Sequence, residues 1–227
     1  MGRAEESRGI LRAMASLLAE RPPETRRLPP ELKSGDRLTF EEFERRWDLH
    51  PEIKRAELIE GEVFVDVSVS MTHGDAHGVV AMWANVYRAA HPGCQVADNS
   101  TVELPGDNAP QPDILIRRRE GGTSMIGPRE NLSGPPEFVF EVSATSASYD
   151  LHQKLRLYER SGVLEYAVWQ LYEERLDWFR LVDGQYVTVE PGPDGVIESS
   201  TFPGLRLNVN ALLAGNLAGV LSALSSD

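Results

Sequence analysis

The sequence predicts an α/β fold: a mixed central sheet flanked by helices, with an antiparallel β extension. Three observations carry this reading. Residues 73–91 repeat apolar side chains at helical spacing. Ile114-Leu115-Ile116 and Phe138-Val139-Phe140 are short apolar runs of the kind that fill a central strand. After Leu164, three strand-like segments follow one another, two of them joined by Asp183-Gly184, a strong hairpin signal.

Composition bounds the possibilities. With 227 residues the chain can bury one sizeable core with additions, and 41% hydrophobic against 26% charged residues is ordinary for a soluble globular protein. We divide it into residues 1–36, a helix with a proline-rich linker, and residues 37–227, a single domain that includes a C-terminal helix. A formal charge of -12 argues against broad adhesion to nucleic acid, which relies on Lys and Arg contacts to phosphate, but it leaves room for a local basic groove. A lone cysteine, Cys94, excludes an intrachain disulfide and a cysteine-cluster zinc site, and points to the cytoplasm. No apolar run approaches the roughly 20 residues of a membrane span. Glu5, Glu6 and Arg12 break any signal-peptide pattern at the start.

Taken in order, residues 6–20 place Ile10, Leu11, Met14, Leu17 and Leu18 on one helical face, and Pro22-Pro23 end that helix. Thr39 and Glu42 form a capping-box pattern that starts a helix running to about Leu49. Residues 55–65 read as two strands meeting near Gly61, with Glu57 on the same face as Ile59. The helix over 73–91 shows a stripe of Val79, Val80, Trp83, Val86, Tyr87 and Ala90, with His77 beside its edge. Strands are expected over 94–104 and 112–116. Arg117-Arg118-Arg119 reads as a solvated loop rather than a phosphate contact, and Trp83, Trp169 and Trp178 as core or interface. The strand holding Glu141 is followed by a helix over 149–161 closed by Gly162, then by strands over 164–171, 175–181 and 185–189. One last helix is expected over 208–224.

The chemistry begins with Glu141, a carboxylate inside an apolar strand. Its burial costs several kcal/mol unless a cation answers it. Asp113 opens the other buried run. If the two strands are neighbours, the carboxylates converge and need a cation between them; magnesium, a hard ion that takes oxygen ligands, suits. Lys154 follows Asp150 by four residues, so the two share a helix face that returns toward the end of the Glu141 strand. Its ammonium could orient or help deprotonate an attacking water. A metal-free Glu141–Lys154 ion pair is the structural competitor. His73 and His77 share the spacing of a zinc-protease helix, but Gly74 stands where that chemistry needs glutamate.

Pro112-Asp113 with Glu141-Val142-Ser143 resembles the PD-(D/E)XK nuclease signature, with Ser143 where the lysine is usual and Lys154 in the displaced position known from some members. A closer resemblance is to the Uma-two family of restriction endonucleases. It is carried by Glu57-Leu58-Ile59-Glu60-Gly61-Glu62, by His73-Gly74-Asp75-Ala76-His77 and by Gln111-Pro112-Asp113. Residues 135–142, 148–154 and 162–166 complete it in the family's order. The resemblance covers roughly residues 39–213 and implies a restriction-endonuclease-like fold and DNA phosphodiester hydrolysis by a metal-activated water. It further implies magnesium or manganese as cofactor and commonly a homodimer. Carried over by position, Asp113, Glu141 and the Val142 carbonyl would hold the metal and Lys154 would position the water. Glu57 or His77 would be the additional polar group, and Asp150 would hold Lys154 or cap its helix. The rival reading is a catalytically inactive nuclease fold kept for binding; an all-β ligand barrel is set aside because three helices are firmly patterned.

Overall fold

The computed structural model describes residues 29–65, 70–144 and 149–224. The chain divides into units 1–31 and 32–227, and the fold below is that of the second unit. The expected leader helix over 6–20 lies outside the described residues.

In chain order the elements are α1 (Phe40–Asp48), β1 (Ala56–Ile59), β2 (Glu62–Val65), α2 (Met71–Ala90), β3 (Cys94–Asp98), β4 (Val102–Glu103), β5 (Ile114–Arg118), β6 (Met125–Ile126), β7 (Leu132–Ser133) and β8 (Phe138–Ser143). A π-helical turn (Asp150–Lys154) leads into α3 (Leu155–Ser161). Then come β9 (Glu165–Gln170), β10 (Arg175–Val182), β11 (Gln185–Thr188), β12 (Val196–Glu198), β13 (Arg206–Asn208), α4 (Val209–Leu213) and α5 (Leu217–Ala223).

Six strands form the main sheet in the order β11-β10-β9-β8-β5-β3. β8 and β9 run parallel and every other pair is antiparallel. The mixed α/β sheet flanked by helices is therefore as the sequence predicts. The meander after Leu164 is not a separate layer: β9 pairs with β8 along its whole length, so the extension continues the sheet.

β8 is buried at all six positions because both sheet faces are covered. Phe138, Phe140 and Val142 point to the face packed by α2 through Val80, Trp83 and Tyr87, with Ile114, Ile116 and Trp178 alongside. Val139 and Leu115 point to the opposite face, against Leu157 and Tyr158 of α3 and Tyr166 of β9. A third cluster joins Phe43 of α1 to Ala56, Leu58 and Val63 of the β1–β2 hairpin.

Several local expectations need correcting. Thr39 caps α1 by accepting the Glu42 N–H, but the Glu42 carboxylate turns to Arg45 and Arg46 instead of closing a capping box. The Arg pair holds that carboxyl at about 2, well below the usual range. On α2 the buried stripe uses Ala76 and Ala84, while Val86 and Ala90 are exposed. The single strand expected over 94–104 breaks after Asp98, where Asn99 takes a positive φ of 45°. β5 starts at Ile114, two residues later than expected, and runs on to Arg118. Arg117 is consequently buried on a strand, donating to Ser124 and Gln95, and is no solvated loop residue. The final helix is two, α4 and α5, separated at Gly215 and Asn216, where Asn216 caps the second. The sequence pattern gives no sign of the small strands β6, β7, β12 and β13; each is only two or three residues long, too short for alternation to show.

Candidate active site

The β5–β8 register pairs Ile114 with Phe140. One step further along, Asp113 lies opposite Glu141 and Pro112 opposite Val142. In an antiparallel pair, directly opposite residues share a face. The two acids therefore sit on the same side, one at the start of β5 and the other near the end of β8. Contacts bear this out: the Asp113 N–H donates to Glu141 Oε2 at 3.3 Å, and the Val142 N–H donates to Asp113 Oδ2 at 2.8 Å.

Lys154 arrives from the face covered by α3. Its Nζ lies 3.0 Å from Glu141 Oε1, 3.0 Å from Glu57 Oε1 and 3.7 Å from Asp150 Oδ1. The Tyr158 hydroxyl donates to the same Glu141 oxygen at 3.3 Å. The helix that carries Lys154 opens with a π turn, an insertion that often re-aims side chains at functional sites. Tyr166 anchors that turn by donating to the Asp150 carbonyl at 3.0 Å. Glu57 comes from β1, where its Oε1 also accepts the Gln111 N–H at 2.6 Å, tying the hairpin to the segment that leads into β5.

From the opposite sheet face, α2 brings both histidines. His73 Nε2 is 3.4 Å from Asp113 Oδ2, and His77 Nε2 is 3.1 Å from the Asp113 carbonyl and 3.3 Å from Asn99 Nδ2. Arg55 reaches Asp113 Oδ1 at 3.3 Å. Asp113, Glu141, Lys154 and Glu57 are thus brought together as the sequence suggests, and Asp150 holds Lys154. His77 meets backbone rather than carboxylate. The sequence reading assigns no site role to His73, Arg55 or Tyr158, which the structure places there. For His73 a signal existed: it lies three and seven residues before Ala76 and Val80, in phase with the buried stripe. Arg55 sits just ahead of β1 and belongs to no pattern that would single it out.

Charge dominates the electrostatics. Burial pushes the Glu141 carboxyl well above its usual range; Lys154 opposes this, while Asp113, Asp150 and Glu57 add to it. Burial alone would lower Lys154, yet Glu141, Glu57 and Asp150 outweigh it and hold the ammonium charged far above neutral pH. Burial would also raise Asp113, but the His73 hydrogen bond, the Val142 N–H and Arg55 win and hold it at about 2. His73 is raised, by its hydrogen bond to Asp113 first, against burial, with the Val142 carbonyl contributing.

The residues suit a hard divalent cation. The Ser143 carbonyl accepts from Leu171 beyond β9, so by strand alternation the Val142 carbonyl points to the β5 side. There it meets Pro112, which has no N–H to give it. That carbonyl, Asp113 and Glu141 make an all-oxygen donor set beside a carboxylate whose burial calls for positive charge. As they stand, no three His, Cys, Asp or Glu side chains among the described residues form a ready-made metal cage.

The mixed six-stranded sheet flanked by helices is of the restriction-endonuclease-like fold class, and it carries two opposed carboxylates with Lys154 folded back beside one of them, Glu141. A family model described as "Putative restriction endonuclease", Uma2, matches residues 40–210, and the chain belongs to that family. A solved structure similar to the fold is the "Crystal structure of a putative nuclease belonging to DUF820 from Anabaena variabilis ATCC 29413 at 1.96 A resolution". Its TM-score is 0.60 at 13% identity, with 82% of this chain and 99% of that one covered. No curated protein matches the sequence. Among the described residues no helix is long and apolar enough to cross a membrane.

Proposed function

We propose that this chain is a divalent-metal-dependent endonuclease that hydrolyses DNA phosphodiester bonds. The observation that carries the reading is the opposition of Asp113 and Glu141 at one end of β5 and β8, with Lys154 Nζ 3.0 Å from Glu141. Asp113, Glu141 and the Val142 carbonyl would hold magnesium or manganese, which when bound would neutralise charge on the phosphoryl oxygens and acidify water. Lys154, kept protonated by its carboxylates, is assigned the role of donor rather than base. It donates hydrogen bonds, orienting the attacking water and offsetting negative charge as it develops on phosphorus oxygens. Glu57 and Asp150 fix the lysine, and Tyr158 fixes the Glu141 carboxylate. Cutting both strands of a duplex in one encounter calls for two sites, so a homodimer belongs to the proposal; analytical ultracentrifugation reads it directly.

One observation favours the rival, a nuclease fold kept for binding alone: Arg55 and His73 already answer the charge of Asp113. Incubation with supercoiled, linear and single-stranded DNA in magnesium or manganese separates the two. The enzyme reading expects nicking or linearisation that Glu141→Ala abolishes and Lys154→Ala slows by about 10²–10³-fold. Intact DNA of every form at millimolar metal would end it.

A further inference from the structure

His73 is a half-buried group for which the hydrolysis outlined above has no use. It lies one turn into α2, where Ser70 caps the helix by accepting the His73 N–H at 3.2 Å and so fixes the first turn. Its ring turns inward to the end of β5 and β8. Nε2 is 3.4 Å from Asp113 Oδ2 and the ring meets the Val142 carbonyl. Nδ1 is buried and has no hydrogen-bond partner among the described residues. The neighbouring histidine is committed differently: His77 Nε2 is taken by the Asp113 carbonyl and Asn99.

Two of the three oxygen donors assigned above to a cation, Asp113 and the Val142 carbonyl, are therefore the two groups that His73 touches. Donors on adjacent corners of an octahedral ion at about 2.1 Å stand about 3 Å apart. The 3.4 Å between Nε2 and Oδ2 exceeds that spacing by only a few tenths of an ångström. We propose that His73 is a ligand of the same divalent ion, and that its imidazole nitrogen makes the site prefer manganese over magnesium. Magnesium favours oxygen ligands and sheds water reluctantly, whereas imidazole is a good donor to first-row transition ions. The inference rests on the cation site of the nuclease reading but not on cleavage.

The test uses the full metal-free chain, manganese chloride and no nucleic acid. Calorimetry measures affinity, and pulsed electron paramagnetic resonance of the bound ion reports nitrogen in its coordination shell. The expected result is a nitrogen modulation in the wild-type protein that changes when the histidines carry heavy nitrogen, a measurement that needs no variant. His73→Phe removes the modulation and weakens manganese binding by about 10-fold or more while sparing magnesium. His77→Phe keeps the modulation. Manganese bound without nitrogen coupling in the wild type would overturn the assignment, and so would equal affinity for the two metals or binding of neither ion at millimolar concentration. In the first two cases a site made of carboxylates could still cut DNA, so the DNA incubations judge the nuclease reading separately.

Discussion

Glu141 and Lys154 form a buried ion pair, but the two partners are not equivalent. Lys154 has Glu57 and Asp150 in reserve, whereas Glu141, Glu57 and Asp150 share one ammonium. Removing one partner of a buried pair typically costs about 3–5 kcal/mol when the other is left uncompensated. Lys154→Met should therefore destabilise the protein by about 3 kcal/mol or more at neutral pH. Glu141→Gln should leave stability within about 1 kcal/mol of wild type or raise it, since it removes a charge that burial disfavours. Urea unfolding of both variants at pH 7 checks the asymmetry, and equal losses would contradict it. Asp113 behaves in the opposite sense. Its folded-state value of about 2 lies below the ordinary 3.8, so its contribution, about 2 kcal/mol, is complete above pH 4 and disappears as pH falls toward 2. Between pH 5 and pH 2.5 the wild-type urea midpoint should fall further than that of Asp113→Asn. The acids and the lysine were legible because a charge in an apolar strand demands an answer. His73 is less legible, because on this helix it lies only four residues from His77 and the two share nearly the same phase.

At the scale of elements, α3 shows how a termination signal can be read and a geometry missed. Gly162 closes the helix in the left-handed region at φ 87°, as its position after the last apolar turn predicts. Nothing lies within 4 Å of a Cβ added there, so Gly162→Ala should cost only the backbone strain, about 1 kcal/mol, without moving the site. A thermal melt paired with the DNA assay tests this: lower stability with cleavage intact is the expected pattern. The π turn ahead of α3 left no trace in the sequence, because one extra residue per turn hardly disturbs the spacing of Leu151, Leu155 and Tyr158. The division of the last helix is hidden in the sequence for a similar reason. Leu and Ala fill 209–224 at helical spacing, and the break depends on Gly215 at φ 66° and the Asn216 cap rather than on a change of pattern.

At the scale of the molecule, the two large clusters lie on opposite faces of one sheet and share β5, β8 and β9. Trp83 and Trp178 report one face, while backbone circular dichroism reports every element. Because the sheet is common to both, tryptophan fluorescence and circular dichroism should lose signal at a single urea midpoint. The α/β class was readable from alternating patterns. The strand order was not, since the parallel pairing of β8 with β9 is decided by contacts across the whole fold. That same topology has a kinetic consequence. Glu57, His73, Asp113, Glu141 and Lys154 come from five separate stretches of chain, and β8, which carries Glu141, acquires its parallel neighbour only after Lys154 has been passed. Contacts so distant in sequence form late, after the loop-closure entropy between them has been met. A chain still emerging during synthesis, or one partly refolded, does not yet hold the full set in place. On the proposed nuclease reading, DNA cleavage should return no earlier than the burial of Trp178 on dilution from urea, so that the order of folding would itself guard against premature cutting.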